Sequence, residues 1–125
     1  MPLRFELAVG ERLYVGRGVI TNGRTRSMFI LEGNLPVLKE KDVIPTGDAA
    51  TPLERLYVHV QESYLHENPI APAAYKKLAV QVAADSPEIY RDLTEIDALI
   101  TTGNLYRALK LLRVLIRASE QTAAR

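Results

Sequence analysis

Thr51-Pro52-Leu53-Glu54-Arg55-Leu56-Tyr57 is the stretch on which the fold turns. A threonine accepts a hydrogen bond from the first helical turn, and proline fits the next position because its missing N–H has no intrahelical partner there. A glutamate three residues after the threonine reaches back to the cap's own N–H. The spacing therefore predicts a helix from Pro52. Leu53, Leu56, Tyr57, Val60 and Tyr64 follow at i, i+3, i+4, i+7 and i+11, one apolar stripe that must be buried.

Downstream the helical period continues. Asn68-Pro69 and Pro72 end the first helix, and a second is expected over 73–83. Ser86-Pro87-Glu88 opens a third, with Ile89, Leu93, Ile96 and Ile100 on one face and Gly103 as its stop. The fourth runs from about Asn104 to Ser119, with Leu105, Ala108, Leu109, Leu112, Leu115 and Ile116 inward. Upstream of Gly47 the pattern changes to short alternating runs at 3–9, 13–15, 19–21, 26–31 and 36–39, broken by glycine, which read as strands. Asn22-Gly23 lies between two of them, a pair that takes positive φ cheaply and so predicts a two-residue hairpin turn. The expected fold is α+β: a small N-terminal antiparallel β-rich module (1–47) followed by a C-terminal bundle of about four α-helices (48–119) and a tail (120–125), together one domain over 1–125.

Composition narrows the function. The chain has 125 residues, 47% of them apolar, as expected of a globular domain. Its longest uncharged run, 98–106, is far short of the ~18 apolar residues of a membrane span. No membrane association is expected. The charged N-terminus lacks an apolar signal core, and the absence of cysteine fits a reducing compartment, so the expected location is cytoplasmic. Net charge is only +1, so attraction to a polyanion must come from a local patch. Such sorting exists. Residues 85–97 hold five acids against Arg91, whereas 101–125 hold five basic residues against Glu120.

On the fourth helix a turn of about 100° per residue brings Lys110, Arg113 and Arg117 together with Tyr106, and Arg107 at the margin. Guanidinium and ammonium groups bind phosphate and a tyrosine ring can stack a base, which suits single-stranded RNA. A solvated basic face relieving the helix dipole is the simpler alternative. Arg12, Arg17, Arg24 and Arg26, interleaved with Tyr14, form a second basic group around the predicted hairpin, a candidate RNA contact diluted by Glu6, Glu11 and Glu32, with solubility or edge protection as the simpler alternative. Val58, Leu65 and Val114 lie off the main stripes; they are either a second core contact or a partner-binding patch. Apolar residues on more than one helix face are also consistent with a homo-oligomer.

Catalysis has little to rest on. His59, Glu62 and His66 share a helix face but match no zinc motif, so no metal is expected. Gly16-Arg17-Gly18 lacks the third glycine and the following helix of a dinucleotide loop, and no P-loop or nucleophile elbow occurs. Asp92 and Glu95 at i, i+3 read as a solvated acidic surface. No cofactor is expected.

At 50–57, Ala-Thr-Pro-Leu-Glu-Arg-Leu-Tyr resembles the FlbT family of flagellin-synthesis regulators. Pro2-Leu3, Gly10-Glu11-Arg12, Val19-Ile20-Thr21-Asn22-Gly23, Gln61, Gly103, Tyr106, Ala108-Leu109 and Lys110 match in the same order, covering almost the whole chain. Departures are Val9 where the family usually has proline, and Gly16-Arg17 where it has an Asn-Gly pair. The resemblance implies a non-enzymatic, cytoplasmic post-transcriptional regulator that binds the 5′ untranslated region of flagellin mRNA and represses translation or promotes decay. It also implies a rival protein-binding role, because the family is linked to flagellin and to the small flagellar protein FlaF. Separately, Val9-Gly10-Glu11-Arg12-Leu13-Tyr14-Val15-Gly16 is similar to the start of the CsrA messenger-binding regulators, which points to the β-rich front as a participant in RNA binding.

Overall fold

The computed structural model describes residues 2–123, with side chains through Gln121. By its internal contacts the chain divides into two compact units, Met1–Val43 and Ile44–Arg125. The change of pattern thus falls just ahead of Gly47.

The first unit contains β1 (Leu3–Leu7), β2 (Arg12–Val15), β3 (Gly18–Thr21), β4 (Ser27–Leu31) and β5 (Val37–Lys39). All pairings are antiparallel: β1 with β4 in a two-stranded sheet, and β3-β2-β5 in a three-stranded one. Alternation sends Leu7, Leu13 and Val37 into a small core, with Phe5, Val15, Phe29 and Leu31 partly buried against it.

The hairpin is displaced from where the sequence placed it. β3 pairs back with β2, Val15 opposite Gly18, so the two-residue turn is Gly16-Arg17, with Gly16 at φ 55°. Asn22-Gly23 does not join paired strands, and neither residue has positive φ. Asn22 is instead buried. Its Nδ2 donates to the carbonyls of Leu7 at 2.9 Å, Ala8 at 3.0 Å and Thr25 at 2.9 Å, while its own carbonyl accepts from the Gly10 N–H at 3.1 Å. An asparagine is favoured at a turn because its amide imitates backbone; here the same property ties the buried carbonyl at the end of β1 to the partly buried ones of Ala8 and Thr25.

The second unit is helical: α1 (Pro52–His66), α2 (Pro72–Asp85), α3 (Tyr90–Thr101) and α4 (Leu105–Ala123). Thr51 caps α1 as the sequence requires: its Oγ1 accepts from the Glu54 N–H at 3.1 Å, and Glu54 Oε1 accepts from the Thr51 N–H at 3.2 Å. α1 ends with Glu67 in the left-handed region. A short 3-10 turn, Pro87–Ile89, precedes α3, and Gly103 at φ 82° lets the Gly103 and Asn104 N–H groups close on the carbonyls of Ile100 and Leu99. α4 runs on through residues 120–123, expected as tail; residues 124 and 125 lie outside the described residues.

Leu56, Val60, Ile96, Ala108, Leu109 and Leu112 are wholly buried, where α1 packs against α4 and α2, and α3 packs against α4. Among the described residues no helix is long and apolar enough to cross a membrane. Val58 and Leu65 are 7% and 4% exposed, which corrects the reading of them as a partner-binding patch. α1 has more than one helical neighbour, so it is buried over more of its circumference than a single stripe covers. Buried Gln61, between those two residues on the helix, clamps Ile44: Oε1 accepts from the Ile44 N–H at 2.9 Å and Nε2 donates to the Ile44 carbonyl at 2.8 Å.

Candidate nucleic-acid interface

α4 is held by its leucines, which fixes what its other face presents. With Ala108, Leu109, Leu112, Leu115 and Ile116 buried, Tyr106, Arg107, Lys110, Val114 and Arg117 are left exposed. Lys110 Nζ lies 5.7 Å from the Tyr106 ring centroid, within cation–π range. Tyr106 also meets Tyr64 of α1, centroids 5.8 Å apart and planes tilted by 39°. Tyr106 remains 44% exposed, so part of the ring is open to a ligand. A shallow groove of about 300 Å³ follows, lined by Arg107, Lys110, Leu111 and Val114 of α4 with Glu95 and Leu99 of α3. Glu95 places an acid beside the basic row.

Arg113 departs from the expected arrangement. It is only partly exposed, and its Nε and Nη2 are shielded from solvent. Its position explains this: it stands four residues after Leu109 and three before Ile116, at the margin of the buried arc rather than at the centre of the open one. The open cationic row is Arg107, Lys110 and Arg117.

In the β unit, Arg12, Arg17, Arg24 and Arg26 are all exposed. Arg26 is engaged, its Nε donating to Glu6 Oε1 at 2.6 Å; this bond, reinforced by the guanidinium charge, holds the Glu6 carboxyl below its ordinary value and raises the Arg26 pKa. Arg17 occupies the β2–β3 turn, and Arg12 shares an outward face of β2 with half-buried Tyr14. Each basic group therefore lies within one unit. Of the three residues sharing a face of α1, His59, Glu62 and His66, the last two form an i, i+4 pair, with His66 Nδ1 2.7 Å from Glu62 Oε2.

Two features escape sequence reasoning. Periodicity puts Tyr64 in the core stripe, whereas its ring supports Tyr106. Between α2 and α3 there is also a cavity of about 550 Å³ floored by Ala79, Ala83 and Leu93 and flanked by Tyr75, Val80 and Tyr90. Burial, with Asp97 beside it, pushes the Tyr75 hydroxyl up to about 12.

Residues 3–123 match the family described as flagellar protein FlbT. The chain belongs to the FlbT family. It is 37% identical, over the full length of both chains, to a probable flagellum biosynthesis repressor protein FlbT of Rhodopseudomonas palustris strain TIE-1. It is 35% identical to the probable repressor FlbT 1 of Bradyrhizobium diazoefficiens, over 97% of this chain and 84% of that one. The flagellum biosynthesis repressor protein FlbT of Caulobacter vibrioides strain ATCC 19089 is 29% identical over 97% of this chain and 89% of its own. No solved structure matches. These relatives are named as flagellum biosynthesis repressors, the first two as probable ones.

Proposed function

We propose that this FlbT-family protein is a cytoplasmic post-transcriptional regulator that binds the 5′ untranslated region of flagellin mRNA and represses its translation or promotes its decay. The observation that supports this best is the open face of α4, where Lys110 lies over a partly exposed Tyr106 and Arg107 and Arg117 extend the row of exposed cations along the helix. Cations spaced along one helix face meet successive phosphates, and a supported tyrosine ring offers a stacking platform for an unpaired base. Arg12, Arg17 and Arg24 of the β unit are the second candidate contact. The reading assigns binding rather than catalysis.

The test is a titration of purified protein into labelled flagellin leader RNA and a scrambled control at two salt concentrations. Preference for the leader at near-physiological salt supports messenger recognition. Lys110→Ala with Arg117→Ala should weaken binding and reduce the log-affinity against log-salt slope by about 0.7 for each phosphate no longer neutralised. Both residues are exposed, so unfolding should hardly change. Equal binding to both RNAs that vanishes with salt would sink the reading.

A second reading, docking of an amphipathic segment of flagellin or a FlaF-like protein, is favoured by the α2–α3 cavity. Val80 and Tyr90 flank it while 62% and 68% exposed, a pair of large side chains suited to a helix laid between them. Val80→Asp separates the readings: it should abolish capture of purified partner and leave RNA binding intact.

A further inference from the structure

The outer edge of β1 belongs to no sheet: among the described residues β1 pairs with β4 alone. An open edge invites another strand, and proteins usually discourage this with charges that repel a second copy. β1 carries two charges, Arg4 and Glu6, on its outward face, and they are of opposite sign. An antiparallel two-fold pairing of β1 with itself, centred on Phe5, sets Arg4 opposite Glu6 of the second copy and Glu6 opposite its Arg4. Like charges in those positions would repel; these attract.

We propose that β1 is the contact through which two copies of this chain associate, edge to edge and antiparallel about Phe5, to form a continuous four-stranded sheet β4-β1-β1-β4. The same register matches the inward face. Leu3, 46% exposed in the single chain, comes opposite Leu7 of the second copy, and half-buried Phe5 meets its own equivalent. Leu7, whose carbonyl already accepts from Asn22, lies at the end of the pairing and is not needed to hold it. The Glu6–Arg26 bond persists, so each Glu6 lies between its own Arg26 and the second copy's Arg4.

The other strands are less suited to this. β3 (Gly-Val-Ile-Thr) and β4 (Ser-Met-Phe-Ile-Leu) carry no charge, and β5 carries a lone lysine that gives no complement to itself. The unit also has reason to associate: its core is built around three buried residues, and small β-modules commonly draw further stability from additional strands.

Sedimentation of the purified full chain tests this through a charge exchange. The unaltered protein should show a concentration-dependent dimer. Arg4→Glu alone places like charges together at both positions, as does Glu6→Arg alone, and each should weaken association by about tenfold or more. An equimolar mixture of the two variants restores opposite charges at both positions and should dimerise again. Arg26→Ala, which removes only the internal ion pair, should leave the dimer intact, separating edge pairing from a loss of local stability. Circular dichroism confirms that each variant is folded. A monomeric parent protein, or a mixture that fails to recover association, overturns the proposal. So does a dimer that survives both charge variants but is lost on Ile30→Lys, since the copies would then meet at β4.

Discussion

The two units of this protein are held by different chemistry. The helical unit buries whole leucine and isoleucine side chains, among them Leu56, Ile96, Leu109 and Leu112, between helices whose backbone polar groups, the end turns apart, are satisfied within each helix. The β unit has a handful of core residues and several turns, and it depends on Asn22 to hold carbonyls contributed by residues 7, 8 and 25. Its specificity is polar where the helical unit's is apolar. A small all-β module that cannot satisfy its loops through ladders must use side chains to do so, and each such side chain then becomes hard to replace.

The largest expected effect sits in the helical unit. Leu112→Ala empties a site with no exposure and should cost about 2–5 kcal/mol, read as a lowered melting temperature with faster hydrogen exchange at 44–121. Asn22→Ala should cost about 1–3 kcal/mol by leaving the buried Leu7 carbonyl and the partly buried ones of Ala8 and Thr25 without this donor, with the faster exchange confined to 2–43. Equal loosening of both halves by either substitution would break the comparison. Thr51→Ala removes the α1 cap and should cost about 1 kcal/mol, fraying the first turn without touching the β unit.

The smallest effect sharpens the contrast from the polar side. Glu6 has a folded pKa held below its ordinary 4.5 by Arg26, so its contribution is present above that value and is lost as pH falls through the lowered one. Because both side chains are exposed, acid titration of the β unit should change little when Arg26 is replaced by alanine. A marked shift of the acid midpoint would show that the pair carries more than surface chemistry allows.

Much of the fold is legible in the sequence because its signals are local. The cap at Thr51 involves residues three apart, and the strand runs and helix stripes declare themselves within a turn or two. What is not legible is non-local. Asn22-Gly23 has the composition of a hairpin, but carbonyls as far away as Leu7 recruit the asparagine side chain, and the turn moves to Gly16-Arg17. Val58 and Leu65 leave open a choice between core and partner patch, because periodicity reports one face and not how many neighbours a helix will have. At the candidate site, the exposure of Tyr106, Lys110 and Arg117 on α4 follows from helix geometry, but that of Arg113 does not, because its location at the margin depends on how far burial extends around α4.

The clamp between Gln61 and Ile44 bears on how much variation each position can absorb. Both bonds end on backbone atoms of residue 44, so the amide reads the main chain and is indifferent to the side chain it finds there. Changing Ile44 to another residue with an N–H leaves both bonds possible, whereas replacing Gln61 by a residue without an amide removes both together. Two positions in direct contact should therefore differ sharply in a saturation mutagenesis screen, permissive at 44 and restrictive at 61.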